Sequence, residues 1–598
     1  MKCKLQNRGR TLVWGIFLLS GMTAQSTYAQ EPKPAAQKTD AGGFRVVVAH
    51  SLEKIRRTGP PLEAPPTDCV RIEAARDETE SFQLVVIPVG ETLEGMSVEA
   101  PPLEMKTGAR SLGTVPVFWH PVAYVETGTP RGYTPEYVGW WPDVLMPPGP
   151  FDAAAGERQP LWFKVCVPPD AAPGEYEGQV TVRHRGQSVS VPVEVRVRNF
   201  RLPRPGALAT AFGLYGHALS GWYHGKKPYQ DVMPVETFAR WCEFMGQYRL
   251  TPKNIANEYI QKLEDEQGTR LDLSLLKQTV GALRPKYYAP YSFCVYRLPC
   301  PREVREGTTK TDPAIWVAAL KQRADEYRRL GLPSEAYIYG IDEPAVKAYP
   351  FVQNVYRMVR EAVPDFPIMQ TVNQSVPEAL VWLVDIWCPL SARVDDDFYR
   401  ARKQAGDTLW IYICCGPKPP HANFFIDEPA IDHRVVFWQA RQAGATGFLY
   451  WCVCWWEGLP GPTSDKPHFP DVPVVLKDQA GTLLRLGVNG DGILIWPGPD
   501  MTPYPSLRLE VVRDGIEDYE YLALLERCVE KAKALPQDRR PPQEVIEKAE
   551  ELCRVPEEIS RSLTDYTKDP APLLARRKAV GDMIERLTAV LNDAEMKS

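Results

Sequence analysis

The chain contains no CxxC spacing and no HExxH, so the two most recognisable frameworks for zinc are missing. Its 13 cysteines are few for 598 residues, which excludes a disulfide-stapled scaffold. Cys294, Cys388, Cys414, Cys415, Cys452 and Cys454 sit inside apolar strand patterns and read as small buried hydrophobes. Strong charge of either sign is missing too. A net charge of -5 without a basic stripe leaves no footing for nucleic acid and no attraction to a membrane surface. The apolar run from Leu12 to Met22 falls short of the ~20 residues that cross a bilayer. The expectation is a protein with no metal, no cofactor, no nucleic-acid partner and no integral membrane segment once its leader is removed.

What is present has the composition of a multi-domain globular chain, with 44% hydrophobic and 24% charged residues. Lys2, Lys4, Arg8 and Arg10 precede the apolar run, and Thr27-Tyr28-Ala29 follows it. This is the layout of an export signal cleaved after Ala29 and predicts a periplasmic or secreted protein. Residues 30–43 are Pro-, Ala- and Gly-rich and read as a flexible leader. Short β runs separated by Pro and Gly then extend to residue 200. The clearest is a hairpin in which Val189, Val191, Val193, Val195 and Val197 alternate strictly, so one face is buried. These runs predict a β-sandwich over 44–200. Within it, 127–160 reads as a long loop that either reaches the neighbouring domain's cleft or packs locally.

Beyond the linker around Pro203 and Pro205 the texture changes to apolar strand followed by amphipathic helix, repeated. Strand patterns fall at 207–216, 251–259, 286–298, 335–344, 366–374, 384–390, 408–416 and 447–456. Pro252, Lys253 and Asn254 dilute the second. Eight strands alternating with helices predict an α/β fold, a (β/α)8 TIM-type barrel over 206–530, preceded by the sandwich. A doubly wound open sheet is the alternative, but no glycine-rich phosphate loop follows the first strand. Asn489-Gly490 and Asp491-Gly492 mark turns, helix resumes near Pro505 with Gly515 as its weak point, and 531–598 forms a helical tail.

Barrel enzymes carry their chemistry at the C-terminal ends of strands. The fourth strand pattern ends Gly340-Ile341-Asp342-Glu343-Pro344, two adjacent carboxylates that are costly there unless used. The alternative is that Asp342 caps a helix and Glu343 is solvated. The same tetrapeptide recurs as Ile426-Asp427-Glu428-Pro429, but after a loop and directly before a helix, where Asp427 reads as a cap. A conventional retaining glycosidase needs a second carboxylate about 5 Å from the first. Strand seven ends Cys414-Cys415-Gly416 and strand five Thr371-Val372-Asn373-Gln374, both without an acid, and strand eight offers Glu457. The missing nucleophile points to substrate assistance, in which a 2-acetamido group attacks the anomeric carbon. One carboxylate then stabilises the amide and the other shuttles the proton. Aromatics and polar groups at the strand ends supply candidate sugar contacts: Tyr215, Asn373, Trp387, Tyr412, Trp451 and Trp456, with Trp222, Tyr223 and Trp455 beside them.

Three stretches, Tyr337 to Pro344, Gly444 to Trp451, and Ser506 to Glu510 running into Arg513 to Tyr521, resemble glycoside hydrolase family 123. The resemblance reaches into the N-terminal region through Trp162, Val167-Pro168 and Gly174 to Gly178. It implies a β-N-acetylgalactosaminidase-like enzyme with a glycan substrate, Asp342 as oxazoline stabiliser and Glu343 as acid/base. Arg513 and Glu517, spaced i, i+4, read as a surface pair. The alternatives are a non-catalytic carbohydrate-binding protein of the same fold, or a glycosidase of sugars without a 2-acetamido group using Asp427, Glu428 or Glu457.

Overall fold

The computed structural model describes residues 43–596 apart from 61, 63–68, 107–112, 227–232, 254, 256–260, 266–267, 290, 306, 311, 333–334, 375–376, 457–458, 460–473 and 476–486. The expected signal, nearly all of the leader, Asn254 and Glu457 lie outside the described residues.

The alternating valines do what a period of two requires. Strand Gln187–Arg201 buries Val189, Val191, Val193, Val195 and Val197 in turn and pairs antiparallel with Gly174–His184. The connection is Arg185-Gly186, both at positive φ, the geometry that matches strand twist in a two-residue hairpin. These strands belong to a sheet with Val70–Arg76, Leu93–Glu99 and Phe151–Ala153. A second sheet runs through Phe44–His50, Glu78–Pro88, Gln159–Val167 and Val117–Glu126. Phe82, Leu84, Phe163 and Val165 of the second sheet meet Tyr176, Val180, Val193 and Val195 of the first in one core. This is a β-rich N-terminal region built on two sheets. The segment expected as a loop over 127–160 contains strands Trp140–Leu145 and Phe151–Ala153.

The following region is a nearly closed parallel barrel-like sheet. Seven strands lie in the order Ala209–Phe212, Gly447–Tyr450, Thr408–Ile413, Ile386–Pro389, Ile368–Val372, Ala336–Tyr339 and Phe293–Arg297, so Ala209–Phe212, earliest in the chain, is hydrogen-bonded to Gly447–Tyr450, the latest. Where a further strand was expected at 251–259, the described residues contribute one parallel bridge, Phe212 to Pro252. The bridge consists of the Phe212 N–H to the Thr251 carbonyl and the Lys253 N–H to the Phe212 carbonyl, both 2.9 Å, so Pro252 needs no N–H on this side. Ala209, Ala211, Tyr337, Tyr339, Met369, Cys388, Trp410, Tyr412 and Leu449 share one cluster inside this sheet. All 12 described cysteines are free thiols. Among the described residues, no helix is long and apolar enough to cross a membrane.

Helix Leu507–Ala534 departs most from its sequence pattern. It starts where Ser506 accepts a hydrogen bond from the Leu509 N–H, a side-chain N-cap immediately after Pro505. Its charged residues suggest a solvated face, yet Arg508, Glu510, Arg513, Asp514, Glu517, Asp518 and Glu520 are all buried. Arg513 and Glu517, expected as a surface pair, lie 3.6 Å apart in the interior. The charges are tolerated because they are matched. Arg434 forks onto Asp518 at 2.6 and 2.8 Å, Arg249 meets Glu517 at 3.1 Å, and Arg577 reaches Asp518 at 2.7 Å. Arg577 belongs to helix Pro570–Met596, which also holds Asp582 and Glu585 against the buried Arg198 of strand Gln187–Arg201. The C-terminal segment is therefore packed against the N-terminal sheets as well as against helix Leu507–Ala534.

Gly515, the apparent weak point of that helix, is where it touches its neighbour. A Cβ at 515 would stand 2.4 Å from the Phe437 ring and 3.1 Å from the Arg434 carbonyl oxygen. Gly515→Ala gains about 1 kcal/mol of helix propensity and loses roughly 1–3 kcal/mol to overpacking. Net destabilisation in urea unfolding is expected, and a stabilised variant would show that the two helices can separate freely.

Candidate active site

The carboxylate pair is placed by the way strand Ala336–Tyr339 ends. Gly340 follows it because no side chain fits, since a Cβ would lie 2.2 Å from the Tyr356 hydroxyl and 2.7 Å from the Met369 carbonyl. That hydroxyl accepts the Ile341 N–H at 2.9 Å and donates to Gln370, so the turn is pinned to the next strand. In a regular strand, consecutive side chains point to opposite faces. Glu343 escapes this with φ at 44°, a left-handed conformation costing a non-glycine residue on the order of 1–3 kcal/mol. Thr371, at the end of the adjacent strand Ile368–Val372, ties both residues together. Its hydroxyl donates to Asp342 Oδ1 at 2.9 Å and accepts the Glu343 N–H at 3.3 Å.

Asp342 is half-buried and surrounded by donors. The Tyr339 hydroxyl donates to Oδ1 at 2.8 Å and Arg297 Nη2 to Oδ2 at 3.1 Å. Arg297 and Lys253 both lie over the Tyr339 ring, 5.0 and 5.3 Å from its centre. Burial opposes ionisation of Asp342, but the Arg297 guanidinium, the Tyr339 hydroxyl, the Lys253 ammonium and the Thr371 hydroxyl together outweigh it. The carboxyl is held below the usual aspartate value. Lys253 is itself pushed down to about 8, by burial first and then by Arg297. If Arg297→Met removes the larger attractive charge, the acid limb of the pH–kcat/KM profile moves to higher pH, and Lys253→Met moves it the same way. A lower rate with an unmoved limb in both variants would assign these cations a packing role alone.

Glu343 has different surroundings. Asn373 Nδ2 donates to Oε2 at 2.8 Å and the Tyr412 hydroxyl donates to Oε1. Burial and the Glu343 charge both raise the Tyr412 phenol, so it remains a hydrogen-bond donor. Of the residues expected to contact substrate, Asn373 and Tyr412 are therefore brought to the acid pair. Tyr215 is buried and packs edge-on against Trp455, 5.9 Å between ring centres. Trp451 is half-exposed and donates from Nε1 to both oxygens of Asp491 at 3.0 Å.

Trp387 and Trp456 lie in the core, away from the pair. Trp387 is 1% exposed, packs on Phe398, and donates to Asp407, which stands before strand Thr408–Ile413 at the opposite end of the sheet. Its side chain leaves the strand on the helix side. Trp456 is 2% exposed and packs among Trp222, Tyr223 and Trp241 as core. The recurring Asp427-Glu428 also differs from expectation. The N-cap position of helix Ala430–Ala443 is Pro429, with no side-chain cap. Asp427 accepts from the Tyr133 hydroxyl at 2.8 Å and Asn489 at 2.6 Å, joining the N-terminal region to the barrel-like sheet's loops. Asp143 in strand Trp140–Leu145 makes the same kind of link, forking onto the fully buried Arg508. The 127–160 segment thus reaches the second region at Asp427 and Arg508, not at Asp342.

Lys253, Arg297, Tyr339, Thr371 and Asp491 are the participants that sequence reasoning missed. The first four stand within or at the ends of parallel strands, so a search for every polar residue at a strand end, rather than for acids alone, would have found them. Asp491 belongs to the Asp491-Gly492 turn pattern by sequence. Burial raises it to about 6 against the pull of Trp451 and Tyr450.

A parallel sheet with paired carboxylates, an arginine, a lysine and aromatic side chains at its C-terminal end has the make-up of a glycoside hydrolase, and comparison with known proteins assigns the chain to that class. Residues 235–525 match the family model described as glycoside hydrolase 123, catalytic domain, so this region of the chain is a domain of that family. Among solved structures it is similar to a family 123 glycoside hydrolase from Clostridium perfringens, analysed for glycolipid glycan hydrolysis. The TM-score is 0.62 at 14% identity, over 92% of this chain and 99% of that one. At that identity the likeness is one of fold. A GH2 beta-galacturonidase from Eisenbergiella tayi, bound to galacturonate, aligns at TM-score 0.30 and 12% identity, over 73% of this chain and 69% of that one. No curated protein sequence matches the chain.

Proposed function

We propose that the protein is an exo-acting, retaining glycoside hydrolase that releases terminal β-linked N-acetylgalactosamine, or a related 2-acetamido sugar, by substrate assistance. The observation that supports this is the unequal environment of two adjacent carboxylates. Asp342 is held as an anion beside Arg297 and Lys253, whereas Glu343 accepts from the neutral Tyr412 and Asn373. Environments that differ in this way assign different roles to like groups. Glu343 donates its proton to the glycosidic oxygen as the bond from that oxygen to the anomeric carbon breaks. The acetamido carbonyl oxygen forms the new bond to the anomeric carbon, giving an oxazoline whose N–H carries positive charge toward Asp342. Glu343, now a carboxylate, takes a proton from water, which attacks the anomeric carbon and reopens the ring with net retention. Trp451, half-buried rather than sealed in the core, is the candidate wall for the sugar's C–H face.

We further propose that the sheet closes as a (β/α)8 barrel over 206–530 with residues 251–253 as its second strand. In this reading 44–200 is a β-sandwich domain, and residues 1–29 export the chain to the periplasm or beyond. The Clostridium perfringens relative makes glycolipid glycans the first natural substrates to try. The test is hydrolysis of nitrophenyl β-N-acetylgalactosaminide with inhibition by a thiazoline analogue of the sugar. Turnover of the plain galactoside in preference to the acetamido sugar would overturn the mechanism.

A further inference from the structure

A cavity of about 660 Å³ opens at the other end of the parallel sheet. Thr408 in its lining opens strand Thr408–Ile413, and Pro367 immediately precedes Ile368–Val372. The strands run parallel, so this is their N-terminal end, whereas Asp342 and Glu343 follow the C-terminal end of Ala336–Tyr339. Strands of four to six residues, rising ~3.3 Å each, separate the two ends by roughly 13–20 Å.

Two aromatic residues stand at this end with their side chains held in solvent. Tyr291, in the cavity lining, is 44% exposed, and Trp382, three residues before the lining residue Asp385, is 87% exposed. Both have left-handed backbones, with φ of 60° and 75°. Bulky residues avoid that conformation, and it persists only where surrounding contacts impose it. At Trp382 the contacts are visible. Arg360, also in the lining, donates to the Leu383 carbonyl at 3.3 Å and to Asp385, and the Arg402 guanidinium lies 5.8 Å from the indole centre. Asp385 accepts the Ile368 N–H at 2.7 Å on the same Oδ2 that meets Arg360 Nη2, which ties the Arg360–Asp385 pair to the sheet. Arg527 adds a further guanidinium to the wall.

We propose that this end is a second, non-catalytic site that binds a saccharide. Sugar rings present C–H faces that pack on flat aromatic surfaces, and their neighbouring hydroxyls both donate and accept. Beside the single contact they share, a guanidinium and a carboxylate offer further donors and acceptors side by side. A hydrocarbon ligand would leave this charged lining unsolvated, and a polyanion would meet the Asp385 carboxylate. The site is independent of the acetamido preference proposed for the catalytic end and would hold a glycan while its terminus is processed elsewhere.

The experiment is isothermal titration of the full chain carrying Glu343→Gln, with lactose, N-acetyllactosamine and chitotetraose as probes. Binding of at least one probe is expected. It should weaken roughly tenfold or more when Trp382→Ala or Tyr291→Ala is added, and return near the starting value with Trp382→Phe. In the otherwise unaltered enzyme, Trp382→Ala should leave nitrophenyl glycoside hydrolysis within about twofold and the thermal midpoint in place. Absence of binding by all three probes, or binding indifferent to both alanine variants, overturns the proposal. Failure of the hydrolysis assay leaves the titration readable, so the two readings fail separately.

Discussion

Glu343→Gln lowers kcat/KM by roughly a hundred- to ten-thousandfold on an alkyl β-N-acetylgalactosaminide, the range over which positioned acid–base groups contribute. The loss is smaller on the nitrophenyl glycoside, because nitrophenolate departs with little protonation. Asp342→Asn behaves differently. It removes the charge that faces the developing oxazolinium, so its loss is similar on both leaving groups. Measuring both variants on both substrates separates the roles. Equal leaving-group sensitivity in the two variants would show that neither carboxylate is the dedicated proton donor, and undiminished activity in either would remove that residue from the mechanism. Tyr412 and Asn373 touch Glu343 alone of the pair, so truncating them should follow the Glu343 pattern.

The largest effect on stability is expected from Asp143→Ala. Asp143 and Arg508 are both fully buried, joined by two hydrogen bonds of 2.8 Å, and Trp496 Nε1 donates to the same carboxylate at 2.8 Å. Removing the acid leaves a guanidinium without its counter-charge in the interior, a change worth about 3–5 kcal/mol. Arg508 still donates to the carbonyls of Phe424, Gly490 and Ile493, which hold it in place and prevent it from turning to solvent. Adding Arg508→Met to Asp143→Ala should recover part of the loss, since a well-packed apolar chain needs no partner. Urea unfolding followed by tryptophan fluorescence reads both. If the double variant is less stable than Asp143→Ala, Arg508 holds the loops through its carbonyl contacts more than through Asp143.

These outcomes also separate what local sequence determined from what folding added. Alternating valines, strand-then-helix texture and a strand ending in Gly-Ile-Asp-Glu-Pro are short-range patterns, and backbone periodicity alone turns them into a buried sheet face, a parallel sheet and a carboxylate pair. The tryptophans were harder. Trp387 and Trp451 both sit in or just beyond strands, and which way each indole leaves the sheet is set by its neighbours: Asp407 and Phe398 for one, Asp491 for the other.

The acid pair itself was legible in the sequence from Gly340 to Pro344. What makes Asp342 an anion was not, because Lys253, Arg297 and Thr371 come from three other strand ends and meet it only when the sheet curls. The same holds for helix Leu507–Ala534. By composition it is a solvated helix, and as a string of charges it determines only that it is helical. Its burial was decided by partners as remote in sequence as Arg249, Arg434 and Arg577, since charges enter a protein interior only where folding supplies their opposites.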